Sequence, residues 1–70
     1  MERAQPQLHV DLINQWIKDE GYTSEGLAET LHLSLRAVTS MRRNRKYHGR
    51  KAVQKLANLM GRDVTDLYLP

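Results

Sequence analysis

The run Arg42-Arg43-Asn44-Arg45-Lys46, with Arg50 and Lys51 close behind, concentrates the charge chemistry of this 70-residue chain. Guanidinium and ammonium groups at that density suit one task, neutralising a row of anions such as phosphates. Between Thr30 and Arg62 there is no Asp or Glu, and nine of the 11 Lys and Arg fall in that window. The acids sit outside it, at Glu2, Asp11, Asp19, Glu20, Glu25, Glu29, Asp63 and Asp66. A solvated mixed-charge surface intersperses the two signs. Segregation therefore points to an anionic partner more strongly than the net charge of +3 does.

Other chemistry is poorly provided for. His9, His32 and His48 lie far apart, lack the i, i+4 spacing of a helical zinc pair, and have no cysteine to join them. No Ser-His-Asp order, carboxylate pair or phosphate-cradling Gly loop is present. A nuclease built on Tyr47, His48 and the arginines would need a metal-binding carboxylate that the basic window lacks. The expectation is a protein with no catalytic site, no metal, no cofactor and no evident small-molecule ligand. His48 is left with a minor role, a pH-sensitive phosphate contact. The absence of cysteine removes disulfides and suits a reducing cytoplasm. No apolar run approaches the ~20 residues of a membrane span, and the start Met1-Glu2-Arg3-Ala4-Gln5-Pro6 is too polar for a signal peptide.

The elements that must position these groups are short and helical. Residues 1–7 lack periodicity and contain Pro6, so they read as a loose arm, with residues 8–70 as one domain. Such a chain buries only ~60% of its unfolded surface, which demands close helix packing. Val10, Ile13, Trp16 and Ile17 share one face of a helix over about Leu8–Glu20, stopped by Gly21, with Trp16 in the core. Thr23 or Ser24 caps a second helix whose apolar face is Leu27, Ala28 and Leu31. Gly26 weakens its first turn by ~1 kcal/mol relative to Ala. His32-Leu33 forms a turn, and Ser34 caps a third helix over Leu35–Arg43 that buries Val38 and Met41. Asn44 to Gly49 is a polar loop. Arg50–Met60 is the clearest amphipathic helix, with Val53, Leu56, Ala57 and Met60 inward and Gly61 ending it. Asp63 caps a last short turn holding Val64, Leu67 and Tyr68. The fold class expected is all-α, a compact bundle of about five short helices.

A helix pair joined by a three- or four-residue turn, the second helix presenting polar residues outward, is a helix-turn-helix arrangement, here about residues 24–43. The run Thr23-Ser24-Glu25-x-Leu27-Ala28-Glu29-x-Leu31-x-Leu33-Ser34, then Val38 and Met41, then Leu56-Ala57-x-x-Met60-Gly61-x-Asp63-Val64-x-Asp66-Leu67, resembles the Cro/cI-type (XRE) family of bacterial and phage repressors. The resemblance covers roughly residues 9–69. This chain departs from the family pattern in three places. His32 stands where the family usually has Gly, Gly26 where it often has a capping-box Glu, and Arg42-Arg43-Asn44 where it often has E-x-G.

That resemblance implies a lambda-repressor-like bundle and a cytoplasmic transcriptional repressor. Such a protein binds a roughly palindromic double-stranded DNA operator as a homodimer. In family register Leu35, Arg36, Thr39 and Ser40 project toward base edges, with Lys46 reaching in from the loop. Arg36 is the guanine reader of choice, because a guanidinium donates two bonds to O6 and N7. Leu35 suits a thymine methyl, or else a half-buried contact beside the cap. Arg42, Arg43, Arg45, Lys46, Arg50 and Lys51 suit phosphate clamps. Thr23 and Ser24 either hold a phosphate at the helix N-terminus or simply cap it. Tyr47 stacks on sugar or bonds phosphate, or anchors the loop to the core. Leu67, Tyr68 and Leu69 form either a dimerisation patch or the closure of the core under the first helix. Arg3 in the arm could wrap the duplex. Two other classes compete: a protein-interaction module, such as an antitoxin-like or phage control protein, and an RNA binder. The first needs an apolar stripe on the third helix, where only Leu35 is apolar and outward. The second needs aromatic platforms, and only Tyr22, Tyr47 and Tyr68 are free to serve.

Overall fold

The computed structural model describes residues 7–69, and within them the chain is all-helical. Four α-helices follow in order: α1 (Val10–Glu20), α2 (Ser24–Leu31), α3 (Leu35–Arg43) and α4 (Arg50–Met60). The expected fifth helix is a single 3-10 turn, Val64–Leu67. Four residues between Asp63 and an extended Tyr68 leave no room for an α-helical ladder.

Helix boundaries follow from local chemistry. α1 starts two residues later than the periodicity suggests, because Leu8 is extended and His9 caps the helix, its Nδ1 accepting from the Leu12 amide at 3.3 Å. Thr23, not Ser24, is the α2 cap: its Oγ1 accepts from the Gly26 amide at 2.9 Å. Ser34 caps α3 the same way, accepting from the Ala37 amide at 3.1 Å. α4 has no side-chain cap and begins after Gly49. Three helices end in a left-handed residue, Gly21, His32 and Gly61. In each case the next amide reaches back five residues, Tyr22 to Ile17, Leu33 to Ala28 and Arg62 to Ala57.

The core is apolar throughout: no polar or charged residue is buried among the described residues. Ile13 and Ile17 of α1, Leu27 of α2, Val38 and Met41 of α3, Val53, Leu56 and Ala57 of α4, and Leu67 are essentially inaccessible. Each larger side chain so buried contributes roughly 1.5–3 kcal/mol of transfer free energy. Met60 is only half-buried, while Ala52 joins the core unannounced. Trp16 is not a core residue. It lies half-buried at the edge, its ring stacked on Tyr22 with centroids 5.5 Å apart.

Both ends of the described chain are tied together. Leu8 is fully buried and bridges antiparallel to Tyr68, the Leu69 amide donates to the Gln7 carbonyl at 2.7 Å, and the His9 amide donates to the Leu67 carbonyl at 2.7 Å. Gln7 and Leu8 are thus pinned, and what remains of the proposed arm, with Arg3, lies outside the described residues. The Leu8 amide also donates to the Arg45 carbonyl at 2.7 Å. The basic loop is therefore anchored by backbone to the start of the fold.

Candidate nucleic-acid interface

α2 and α3 meet through the short turn His32–Ser34. His32 takes φ 57° and ψ 43°, the left-handed geometry that glycine adopts without strain. On α3, Val38 and Met41 face the core. Helical periodicity then puts Arg36 and Arg43, seven residues apart, on the opposite side. Both are exposed, as is Leu35 at 48%. Thr39 and Ser40 lie between them and are half-buried. The outer face of α3 is accordingly short, polar and cationic, with one apolar side chain at its start.

The remaining basic residues have three different environments. Arg42 is half-buried and faces inward: its Nε donates to Asn14 Oδ1 at 2.7 Å and its Nη1 to Ser24 Oγ at 2.6 Å. Arg42, expected as a phosphate clamp, thus has its Nε and Nη1 engaged within the fold. The same bond engages the Ser24 hydroxyl, while the Thr23 hydroxyl is engaged in capping. Both hydroxyls act here as acceptors, and Glu25 in the first turn already meets the helix dipole with negative charge.

Arg45 belongs to the one ion pair among the described residues, with Asp11 at 3.6 Å, both side chains more than half exposed. A pair this open contributes at most about 1 kcal/mol and yields to salt. Asp11 nevertheless brings an acid beside the basic loop that the sequence window excluded. Arg43, Lys46, Arg50 and Lys51 are exposed with no acidic partner within salt-bridge reach among the described residues. Asn44 shapes the loop, its Oδ1 accepting from the Lys46 amide at 2.9 Å and its carbonyl from the Tyr47 amide at 3.0 Å.

The structure does not bring all candidates together. Thr39, Arg42 and Arg43 line a small polar recess of about 270 Å³ with Asn14 and Ser24, at the junction of α1, α2 and α3. Tyr47, His48 and Arg50 line a different groove, shared with His9, Val64, Tyr68 and Leu69. Tyr47 is half-buried against the core and its ring covers Gly49, which favours the loop-anchoring role. Leu67 is fully buried, so it closes the core rather than joining a surface patch; Tyr68 and Leu69 remain half-buried at the edge.

No family model, curated protein or solved structure matches this chain. Function must therefore be argued from the chain's own residues.

Asn14 is the functional candidate that sequence reading missed. A signal existed: it is a poor helix former in mid-helix, placed beside the buried stripe of Val10, Ile13 and Ile17. No group of three or more His, Cys, Asp or Glu gathers among the described residues. No helix of the described residues is long and apolar enough to cross a membrane.

Proposed function

We propose that this chain is a sequence-specific double-stranded DNA-binding regulator of transcription, a repressor of lambda-repressor-like architecture that reads the major groove with α3. The observation that carries this reading is the α3 surface itself. Arg36, Thr39, Ser40 and Arg43 form one outward face on a helix held from behind by Val38 and Met41, with unpaired cations on the following loop and α4 start. A rigid helix with that face can enter a groove about 12 Å wide, while loop cations meet the phosphates on either side.

The roles divide by position. Arg36 donates to guanine, Thr39 and Ser40 reach bases or the near backbone, and Leu35 meets a thymine methyl. Arg43, Lys46 and Lys51 neutralise phosphates, joined by Arg45 once salt or DNA displaces Asp11, and by Arg50 at the rim of the groove under the loop. Two copies on half-sites one helical turn apart would give adequate contact area, with Tyr68 and Leu69 as the remaining apolar edge for pairing. A protein-interaction module would need an apolar stripe on the outer face of α3. Leu35 alone stands there as an exposed large apolar residue, which favours the DNA reading.

Retention of random duplexes across a salt series, followed by sequencing, tests this directly. An enriched two-fold-related motif with a steep salt slope is the expected result. Retention without enrichment would reduce the protein to a nonspecific binder. No retention at low salt would overturn the reading in favour of a protein partner.

A further inference from the structure

We propose that Arg42 is a positioning residue, a clasp that fixes how α3 is presented, and not a phosphate clamp; this rests on the DNA reading above. Its guanidinium bridges two helices, with Nε to Asn14 of α1 at 2.7 Å and Nη1 to Ser24 of α2 at 2.6 Å. Asn14 answers by donating its Nδ2 to the Arg42 main-chain carbonyl at 2.8 Å. One carboxamide thus grips both the side chain and the backbone of the same residue, near the C-terminal end of α3.

These three bonds are the long-range side-chain hydrogen bonds of the described residues. Every other side-chain bond joins residues four or fewer apart. The core that holds the helices together is wholly apolar, and apolar burial is non-directional. Hydrogen bonds with a planar fork of donors are directional. The roll and height of α3 against α1 and α2 are thus set where Arg42 meets Asn14 and Ser24. Helix stability alone does not account for the arrangement, since it brings a cation to the N-terminal residue of α2, the end that favours negative charge. The clasp also lines the recess shared by Thr39 and Arg43, directly adjoining the face proposed to read DNA.

Charge and geometry are separated by Arg42→Lys, which keeps the charge and loses the fork. In the free protein, the Arg42 Nε–H resonance should exchange slowly with solvent, and Asn14→Ala should abolish that protection. A double-mutant cycle of Asn14→Ala and Arg42→Ala should show coupling of roughly tenfold in the folding equilibrium, as for residues sharing one network. On the enriched duplex, Arg42→Lys and Asn14→Ala should each lose roughly tenfold in discrimination against random DNA, the order expected for misplaced directional contacts. Their salt slopes should equal that of the unsubstituted protein.

Arg42→Lys that binds and discriminates like the unsubstituted chain, with Arg42→Ala lowering the slope by about one, would make Arg42 a phosphate contact and overturn the proposal. So would the absence of coupling in the free-protein cycle. If the unsubstituted chain retains no DNA, the functional reading fails, and with it the part Arg42 plays in presenting a reading helix. A slow Nε–H and a coupled cycle would then still report the clasp itself, so the two failures are distinguishable.

Discussion

Arg42 and the basic residues that follow it, Arg43, Arg45 and Lys46, lie within four residues of each other and are used in different ways. At the α1–α2–α3 junction, Arg42 is half-buried and hydrogen-bonded by Asn14 and Ser24. In the adjoining loop, Arg43 and Lys46 are exposed and Arg45 has only a long, open pair with Asp11. Residue type is the same; the difference is the direction in which the helix points it. At the end of α3, one step of about 100° separates a side chain aimed along the neighbouring helices from one aimed away from the core. Charge density along a sequence therefore overstates the charge available to a ligand. A guanidinium already hydrogen-bonded at 2.6 and 2.7 Å has its Nε and one Nη1 hydrogen committed within the fold, and only its remaining N–H groups are left to offer a phosphate.

The largest expected effect removes the support common to both regions. Val38 is inaccessible beneath α3, and Val38→Asp would bury an unpaired carboxylate at a cost of about 4 kcal/mol or more. A domain of this size has a total stability on the order of 5 kcal/mol. The variant should lose its helical circular-dichroism signal or melt well below the parent. A folded variant with the parent's melting point would mean that α3 is rolled the other way, which would reverse the assignment of both arginines.

Next in size are the substitutions that divide readers from clamps. Arg36→Ala should relax the preference at one operator position by about 1–3 kcal/mol, seen as a flattened column in the selected motif. Arg43→Ala should instead weaken binding to all sequences alike and lower the magnitude of the salt slope by about 0.9. If Arg36→Ala keeps full discrimination, the outward face of α3 is not in the groove as described. Asp11→Ala should have a smaller and opposite effect. Freeing Arg45 should tighten binding by less than about threefold at low salt, consistent with the small worth of an exposed pair. Unchanged affinity would place Arg45 away from the backbone altogether.

The architecture was largely legible in the sequence, and the reasons are local. Hydrophobic spacing placed α3 and α4 at their observed bounds and α2 with its cap open between Thr23 and Ser24, because each follows a Ser, Thr or Gly and ends at a left-handed or polar stop. The start of α1 was misplaced because Leu8 owes its extended conformation to Tyr68, sixty residues away, and no local pattern encodes such a bridge. The last element shrank to a 3-10 turn for the same reason. Trp16 was read as core from periodicity, yet Tyr22, just past the helix end, takes up its ring at the surface. In the candidate site, the outward set on α3 was legible from the burial of Val38 and Met41. The inward turn of Arg42 was not, since it depends on a partner 28 residues earlier.

The smallest expected effect sharpens the contrast between clasp and turn as controls on α3. His32 is the one non-glycine residue at positive φ among those described, and it is exposed with no side-chain hydrogen bond. Its left-handed backbone costs roughly 1 kcal/mol relative to glycine. Glycine gives back part of that by freeing the unfolded chain. His32→Gly should therefore stabilise the domain by about 0.5 kcal/mol, a rise of a few degrees in Tm. The turn bonds from His32 and Leu33 to Glu29 and Ala28 are made by backbone and survive the substitution. Since Arg42 holds α3 from its other end, the selected DNA motif should be identical at every position. A stabilised variant with an altered motif would move control of the reading helix from the clasp to the turn. A destabilised one would mean that the imidazole itself holds the two helices together.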